Sequence, residues 1–169
     1  MERFIDGDQR AFDALFARHA AAMRSYLQRL TGSAATADDL TQATFVSMVK
    51  GRGRFQRGAK VKPWLYAIAT NAARDWGRRG KFEKVTDEGV LPEAEAEGPP
   101  EADPGLEKVV KNALAQLPEA MREAIVMHRF EGLSFAEIAE HAGVTESAVK
   151  VRAHRGYERL RELLKGVWP

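Results

Sequence analysis

The sequence predicts an all-α protein: two small helical domains joined by a flexible acidic linker. Three observations carry that expectation. Apolar residues recur at three- and four-residue steps through both ends of the chain, with no alternating strand pattern. Between them the period dissolves into Pro, Gly, Ala and Glu, a composition that cannot bury enough apolar surface to order itself. Charge follows the same division. The 169-residue chain has a net charge of +2, yet residues 80–105 hold two lysines against eight carboxylates. The flanking domains are therefore basic, and clustered charge is informative where net charge is not.

The first helical run places Phe12, Leu15, Phe16, His19, Met23, Tyr26, Leu27 and Leu30 on one stripe, and Gly32–Ser33 ends it. Thr36 with Asp39 three residues on reads as the next helix start, with Asp38 and Asp39 at the positive end of the dipole. That helix runs to about Lys50. The glycine-rich basic stretch GRGRFQRGAK, Gly51–Lys60, is read as a loop. Pro63 suits the first turn of the following helix, WLYAIATNAARDWGRR. Its core stripe is expected to be Leu65, Ile68, Ala69, Ala72 and Trp76. Trp64, Ala67, Asn71, Arg74 and Arg78 gather on the opposite face. The pattern resumes at Leu106, and Pro118 opens a further helix that Gly132 stops. The expected division is a first domain over 1–80, a linker over 81–105 and a second domain over 106–169.

The second domain ends in SFAEIAEHAGVTESAVKVRAHR, Ser134–Arg155. Ser134 and Glu137 form a capping box that starts a short helix. Gly143 supplies the positive φ of a tight corner, and Thr145 caps the helix that follows. Ala139, Gly143 and Val149 have the spacing of a helix–turn–helix, in which a small residue, a corner and a packing residue let two helices cross. On the second helix Val149, Ala153, Gly156 and Leu160 face inward. Ser147, Val151, His154 and Arg155 face outward, with Lys150 and Arg152 on the flanks. The bland alternative is a solvated basic face on a helical hairpin. Capping box, crossing residues and basic outer face together favour DNA.

Other classes are excluded by what the chain lacks. It has no cysteine, hence no disulfide, thiol nucleophile or thiolate zinc site. Its four histidines have no metal-ligand spacing, and GRGRFQRG lacks the lysine–hydroxyl ending of a phosphate loop. No metal, cofactor or enzymatic activity is expected. No apolar run is long enough to span a bilayer, and the N-terminus MERFIDGDQR lacks a signal-peptide core, which points to the cytoplasm without membrane insertion.

The two halves in this order resemble a bacterial sigma factor of the extracytoplasmic-function group, the minimal type with regions 2 and 4 only. DDLTQATF, RF and WLYAIATNAARDWGRR resemble region 2; LPEAMREAIVMHRFEGLSFAEIAEHAGVTESAVKVRAHRGYERLREL resembles region 4. The resemblance implies a transcription initiation factor that guides RNA polymerase core to minus-35 and minus-10 elements and assists melting. Asp39, Gln42 and Phe45 match the segment that docks on the β′ coiled coil. Asn71 matches a residue that captures an unstacked minus-10 base. The basic loop with Arg54 and Arg57 matches the loop of that pocket, beside Trp64, Arg74 and Arg78. Ser147, Lys150, Val151, Arg152, His154 and Arg155 fall on the minus-35 reading helix. Region 4 is also expected to meet the β flap, and an anti-sigma factor is an expected partner. Ala43 departs from the glutamate many members carry, and Val151 from a small polar residue. Two rivals share some of these features: a sigma mimic that sequesters an anti-sigma factor, and an operator-binding helix–turn–helix regulator.

Overall fold

The computed structural model describes residues 1–86 and 104–165. Residues 87–103, most of the expected linker, lie outside the described residues, as do 166–169. Every regular element among the described residues is helical: α1 (Glu2–Ile5), α2 (Gln9–Thr31), α3 (Ala34–Gly51), α4 (Val61–Thr86), α5 (Pro104–Ala115), α6 (Glu119–Ile125), α7 (Phe135–Ala142) and α8 (Glu146–Leu163).

Helices α2, α3 and α4 build the first domain. Asp8 caps α2 by accepting from the Arg10 and Ala11 amides, and Gly32 closes it with a left-handed φ of 77°. The next helix starts earlier than Thr36. Ser33 is its cap, accepting from the Thr36 amide, so one glycine–serine pair both ends α2 and begins α3. Met23, Tyr26, Leu27, Ala37, Met48, Leu65 and Ala69 fill the core. Each large side chain there contributes about 1.5–3 kcal/mol by leaving water. The unexpected α1 buries Phe4 against Phe12, ring centroids 5.5 Å apart. Helix α4 continues past the boundary expected at residue 80, to Thr86.

In the second domain α6 and α7 pack on α8. Helix α6 widens into a single π turn, Val126–Phe130, where the Glu131 amide reaches back to the Val126 carbonyl. Gly132, at φ 67°, then turns the chain into α7. Gly156 lets α8 approach α6: a Cβ built there meets Ile125 Cδ1 at 2.6 Å. The two domains share one apolar core. Helix α4 lies against α7, and α2 lies against the π turn and α5.

Candidate nucleic-acid interface

The crossing of α7 and α8 is built as its residues dictate. The Ser134 hydroxyl accepts from the Glu137 amide while the Glu137 carboxylate accepts from the Ser134 amide. Gly143 adopts φ 63°, and Thr145 accepts from the Ala148 amide. Val149, Ala153 and Gly156 are buried, so the opposite face of α8 is turned outward. Ser147, Lys150, His154 and Arg155 are exposed, and Val151 is 45% exposed despite being apolar. Lys150 pairs with Glu146 at 2.7 Å and His154 lies 3.4 Å from Glu158, both along the helix surface. Arg152 is the exception, half-buried beside the first domain.

On α4 the expected faces need correction. Leu65 and Ala69 are buried as expected, but Trp76 is 42% exposed rather than in the core. Tyr66 and Thr70 are buried instead, with the Tyr26 and Thr70 hydroxyls 2.7 Å apart. The second domain contributes to the burial of Tyr66, whose hydroxyl donates to Glu131. Asn71 remains exposed. Arg74 does not project freely: its Nε and Nη2 donate to Glu123 at 2.8 and 2.5 Å. That carboxylate raises the arginine's pKa further. Trp64 is half-buried, its ring edge-on to Phe55 at 5.1 Å, so it is not an open stacking platform. Arg78 pairs with Asp75 and Arg57 with Asp6, while Arg54 is exposed on its short 3-10 turn.

The expected polymerase-docking residues also separate. Asp39 and Gln42 are exposed on α3. Phe45 is not: it is 3% exposed, packed against Phe16 at 4.8 Å and Phe12 at 6.4 Å, so it is a core residue that holds α3 in place. Val46, four residues after Gln42, is exposed on α3 instead, and Phe16 is exposed on α2. Val46 was legible from the helical period, since Asp39, Gln42, Ala43 and Val46 form one stripe.

Between the domains lies a narrow cleft with a cavity volume of about 20 Å³, lined by Asn71, Arg74, Glu123, His141, Val149 and Arg152, among others. Burial lowers the His141 pKa, and its Nε2 has no hydrogen-bond partner. Glu123 and Glu131 were missed by sequence reasoning. They sit on no charged stripe, and their partners are far away in the chain. Tyr66 donates to Glu131 at 2.5 Å, and burial together with that carboxylate drives the phenol pKa up. Among the described residues no cluster of His, Asp or Glu is placed to hold a metal, and no helix is long and apolar enough to cross a membrane.

Residues 15–83 match the family described as Sigma-70 region 2, and residues 108–160 the family described as Sigma-70, region 4. The chain is 45% identical over 167 residues to the RNA polymerase sigma factor CarQ of Myxococcus xanthus, covering 97% of this chain and 95% of that one. It is 35% identical over 161 residues to the ECF RNA polymerase sigma factor SigM of Mycobacterium tuberculosis, covering 95% and 80%. Its fold is similar to the sigma factor RpoE solved with the anti-sigma factor NepR from Bartonella quintana. The TM-score is 0.82 at 28% identity, over 92% of this chain and 98% of that one. It is also similar to CnrH solved with the cytosolic domain of CnrY, with TM-score 0.74 at 26% identity over 97% and 94%.

Proposed function

The chain belongs to the extracytoplasmic-function group of sigma-70 RNA polymerase sigma factors, and from that membership we propose how its surfaces divide the work of initiation. The factor directs core polymerase to promoters. The observation that carries the division of labour is the outward face of α8. Its helix–turn–helix corner is complete, and its exposed residues combine Val151 with Lys150, His154 and Arg155. In the major groove that set suits a mixed readout: the valine on a thymine methyl, arginine on guanine O6 and N7, lysine on phosphate. This face reads the minus-35 element.

Exposed Asn71, one helical turn before Arg74 on α4, takes the minus-10 role. An amide can hydrogen-bond the edge of an unstacked base, and the flanking cations hold the strand. One held base is worth about 1–3 kcal/mol, comparable with one unstacked step. Such a pocket traps an opening already begun; it does not melt a promoter alone. Core polymerase is therefore an obligatory partner, and Asp39, Gln42 and Val46 on α3 form the face that meets it. An anti-sigma factor is the regulatory partner this reading carries. The factor has no catalytic role of its own, and it works in the cytoplasm, where promoter DNA and polymerase are.

Run-off transcription with purified core tests the reading, with permanganate reporting unpaired minus-10 thymines. Initiation and thymine reactivity are expected only when factor and core are both present. Failure to initiate from any promoter, with tight binding to an anti-sigma protein, would make the chain a mimic. Operator binding without core would make it a repressor.

A further inference from the structure

The basic loop between α3 and α4 carries charge that its own stretch of sequence does not balance. Residues 50–62 hold Lys50, Arg52, Arg54, Arg57, Lys60 and Lys62, and no Asp or Glu lies between Asp39 and Asp75. Like charges on a glycine-rich stretch repel one another and favour extension. The loop nevertheless follows a defined course. Phe55, 6% exposed, anchors its middle edge-on to Trp64. Gly58, at φ 81°, makes a turn in which the Ala59 amide donates to the Gln56 carbonyl at 3.1 Å.

The missing carboxylates come from the α1 segment, 51 and 56 residues earlier in the chain. Glu2 accepts from the Gly58 amide at 3.0 Å, and Asp6 accepts from both terminal nitrogens of Arg57. The two acids lie one helical turn apart. The Arg57 guanidinium holds the Asp6 carboxyl below the usual carboxylate range. Arg52 adds a third point, its guanidinium 5.6 Å from the centroid of the Phe4 ring. Helix α1 is itself firmly seated. Phe4 is buried against Phe12, and Arg3 pairs at 2.6 Å with Asp8, the residue that caps α2. Arg54, by contrast, is exposed and makes no ion pair among the described residues.

Exposed acids beside a strand-binding loop weaken its attraction for phosphate, so they cost affinity unless they serve another end. Their partners show that end. An arginine whose fork is filled by a carboxylate is not free to fork a phosphate, and a backbone amide held by Glu2 fixes the tip of the loop. A loop ordered in advance loses less freedom on capturing a base than one that must order on contact. We propose that α1 is a brace for the minus-10 loop: Glu2 and Asp6 fix its course before DNA arrives, Arg57 is a positioning residue held by Asp6, and Arg54 is the loop cation left to touch the strand. This rests on the reading that the basic loop borders the minus-10 pocket.

Asp6→Arg in the full chain sets like charge against Arg57. In the free parent, NMR relaxation of the backbone amides from Gln56 to Ala59 should match that of α3 and α4; in the variant these amides should become mobile. Open-complex yield with core polymerase, read by permanganate, should fall about two- to fivefold, the reach of one exposed ion pair, with core affinity unchanged. Combining Asp6→Arg with Arg57→Asp exchanges the pair and should restore both loop order and opening. Salt dependence separates holding from touching. Arg54→Gln should reduce the salt slope of promoter binding by about 1, the mark of a lost phosphate contact, and Arg57→Gln should leave it unchanged. If circular dichroism shows that Asp6→Arg does not fold, Glu2→Ala with Asp6→Asn, which leaves Phe4 in place, is judged by the same criteria.

Loop amides in the free parent as mobile as a chain end, or an Asp6→Arg variant that opens promoters like the parent, overturn the brace. A salt slope that falls with Arg57→Gln, or a charge exchange that reorders the loop without restoring opening, makes Arg57 a direct contact and overturns its positioning role. Asn71→Ala and Arg54→Gln test the underlying reading separately. If both open promoters like the parent, the minus-10 assignment fails whatever the order of the loop. If Asn71→Ala loses opening while Asp6→Arg does not, that assignment stands and only the brace falls.

Discussion

Helices α8 and α4 both carry the residues expected to face DNA, but only α8 presents them ready for use. On α8 Lys150 pairs with Glu146 along its own helix and His154 lies 3.4 Å from Glu158, all of these side chains being well exposed. Such pairs are worth about 0.3–0.5 kcal/mol, and phosphate can replace them at little cost. On α4, Arg74 is tied to a carboxylate that is nearly out of water, 49 residues further along the chain. Releasing it means rehydrating a buried acid and separating two packed domains. With the surfaces assigned as proposed, duplex recognition is built in advance on a rigid helix, whereas strand capture is conditional. That order fits a factor that must find its promoter before it holds it open.

The comparison breaks most readily at Asn71. Asn71→Ala should reduce open-complex yield by about 1–3 kcal/mol, the worth of one held base, and leave core affinity unchanged. Asn71 is exposed, so the fold should survive the change. Gln42→Ala should do the reverse, weakening core binding first. Core titration and permanganate reactivity on the same two variants separate these effects. Equal losses in both assays for Asn71→Ala would make that residue structural.

On the other helix, a minus-35 scan with the parent and Val151→Ser sharpens the contrast. The parent should lose roughly 1–3 kcal/mol at the base pair facing the valine, and part of that when its thymine is replaced by uracil. The serine variant should lose that preference. Lys150→Ala should weaken all sequences alike and reduce the salt slope by about 1. Identical preferences in parent and Val151→Ser would mean that α8 docks in another rotation.

A smaller effect tests how firmly α8 is seated. Gly156→Ala puts a Cβ 2.6 Å from Ile125 Cδ1 and 3.3 Å from Met121 Cβ. The overpacking should cost about 1 kcal/mol or somewhat more, read as a lower denaturation midpoint. Ile125→Val removes the Cδ1 that is met and should recover much of the loss in the double variant.

The smallest expected effect concerns pH. The Glu137 carboxyl is held down at about 2 by the Lys60 ammonium and by hydrogen bonds from Ser134. A carboxyl with a lower pKa in the folded than in the unfolded chain stabilises the fold above its unfolded value. That contribution is lost as pH falls from about 4.5 towards 2. Glu137→Gln should therefore lower stability modestly at neutral pH and flatten the acid limb, so that parent and variant converge as pH falls towards 2, as thermal melts across that range will show.

The local chemistry of this chain was legible from its residues. Ser134, Glu137, Gly143 and Thr145 specify the helix–turn–helix because caps and corners act between neighbours within four residues. The outward set on α8 was legible because one side of that helix packs inward and the rest is left to solvent. Where a second surface arrived from afar, the reading failed. Phe45 looked available but is locked by Phe16; Trp76 looked buried but is open; Arg74 looked free but is held by Glu123. Helical periodicity states which residues share a face and is silent on what that face meets. The sequence by itself determined the all-helical class, the caps and corner of the α7–α8 crossing and the outward set on α8. Only the tertiary structure decided that the two domains close on one another, because burying Glu123 and Glu131 takes donors from the other domain, and no local rule can choose partners at that distance.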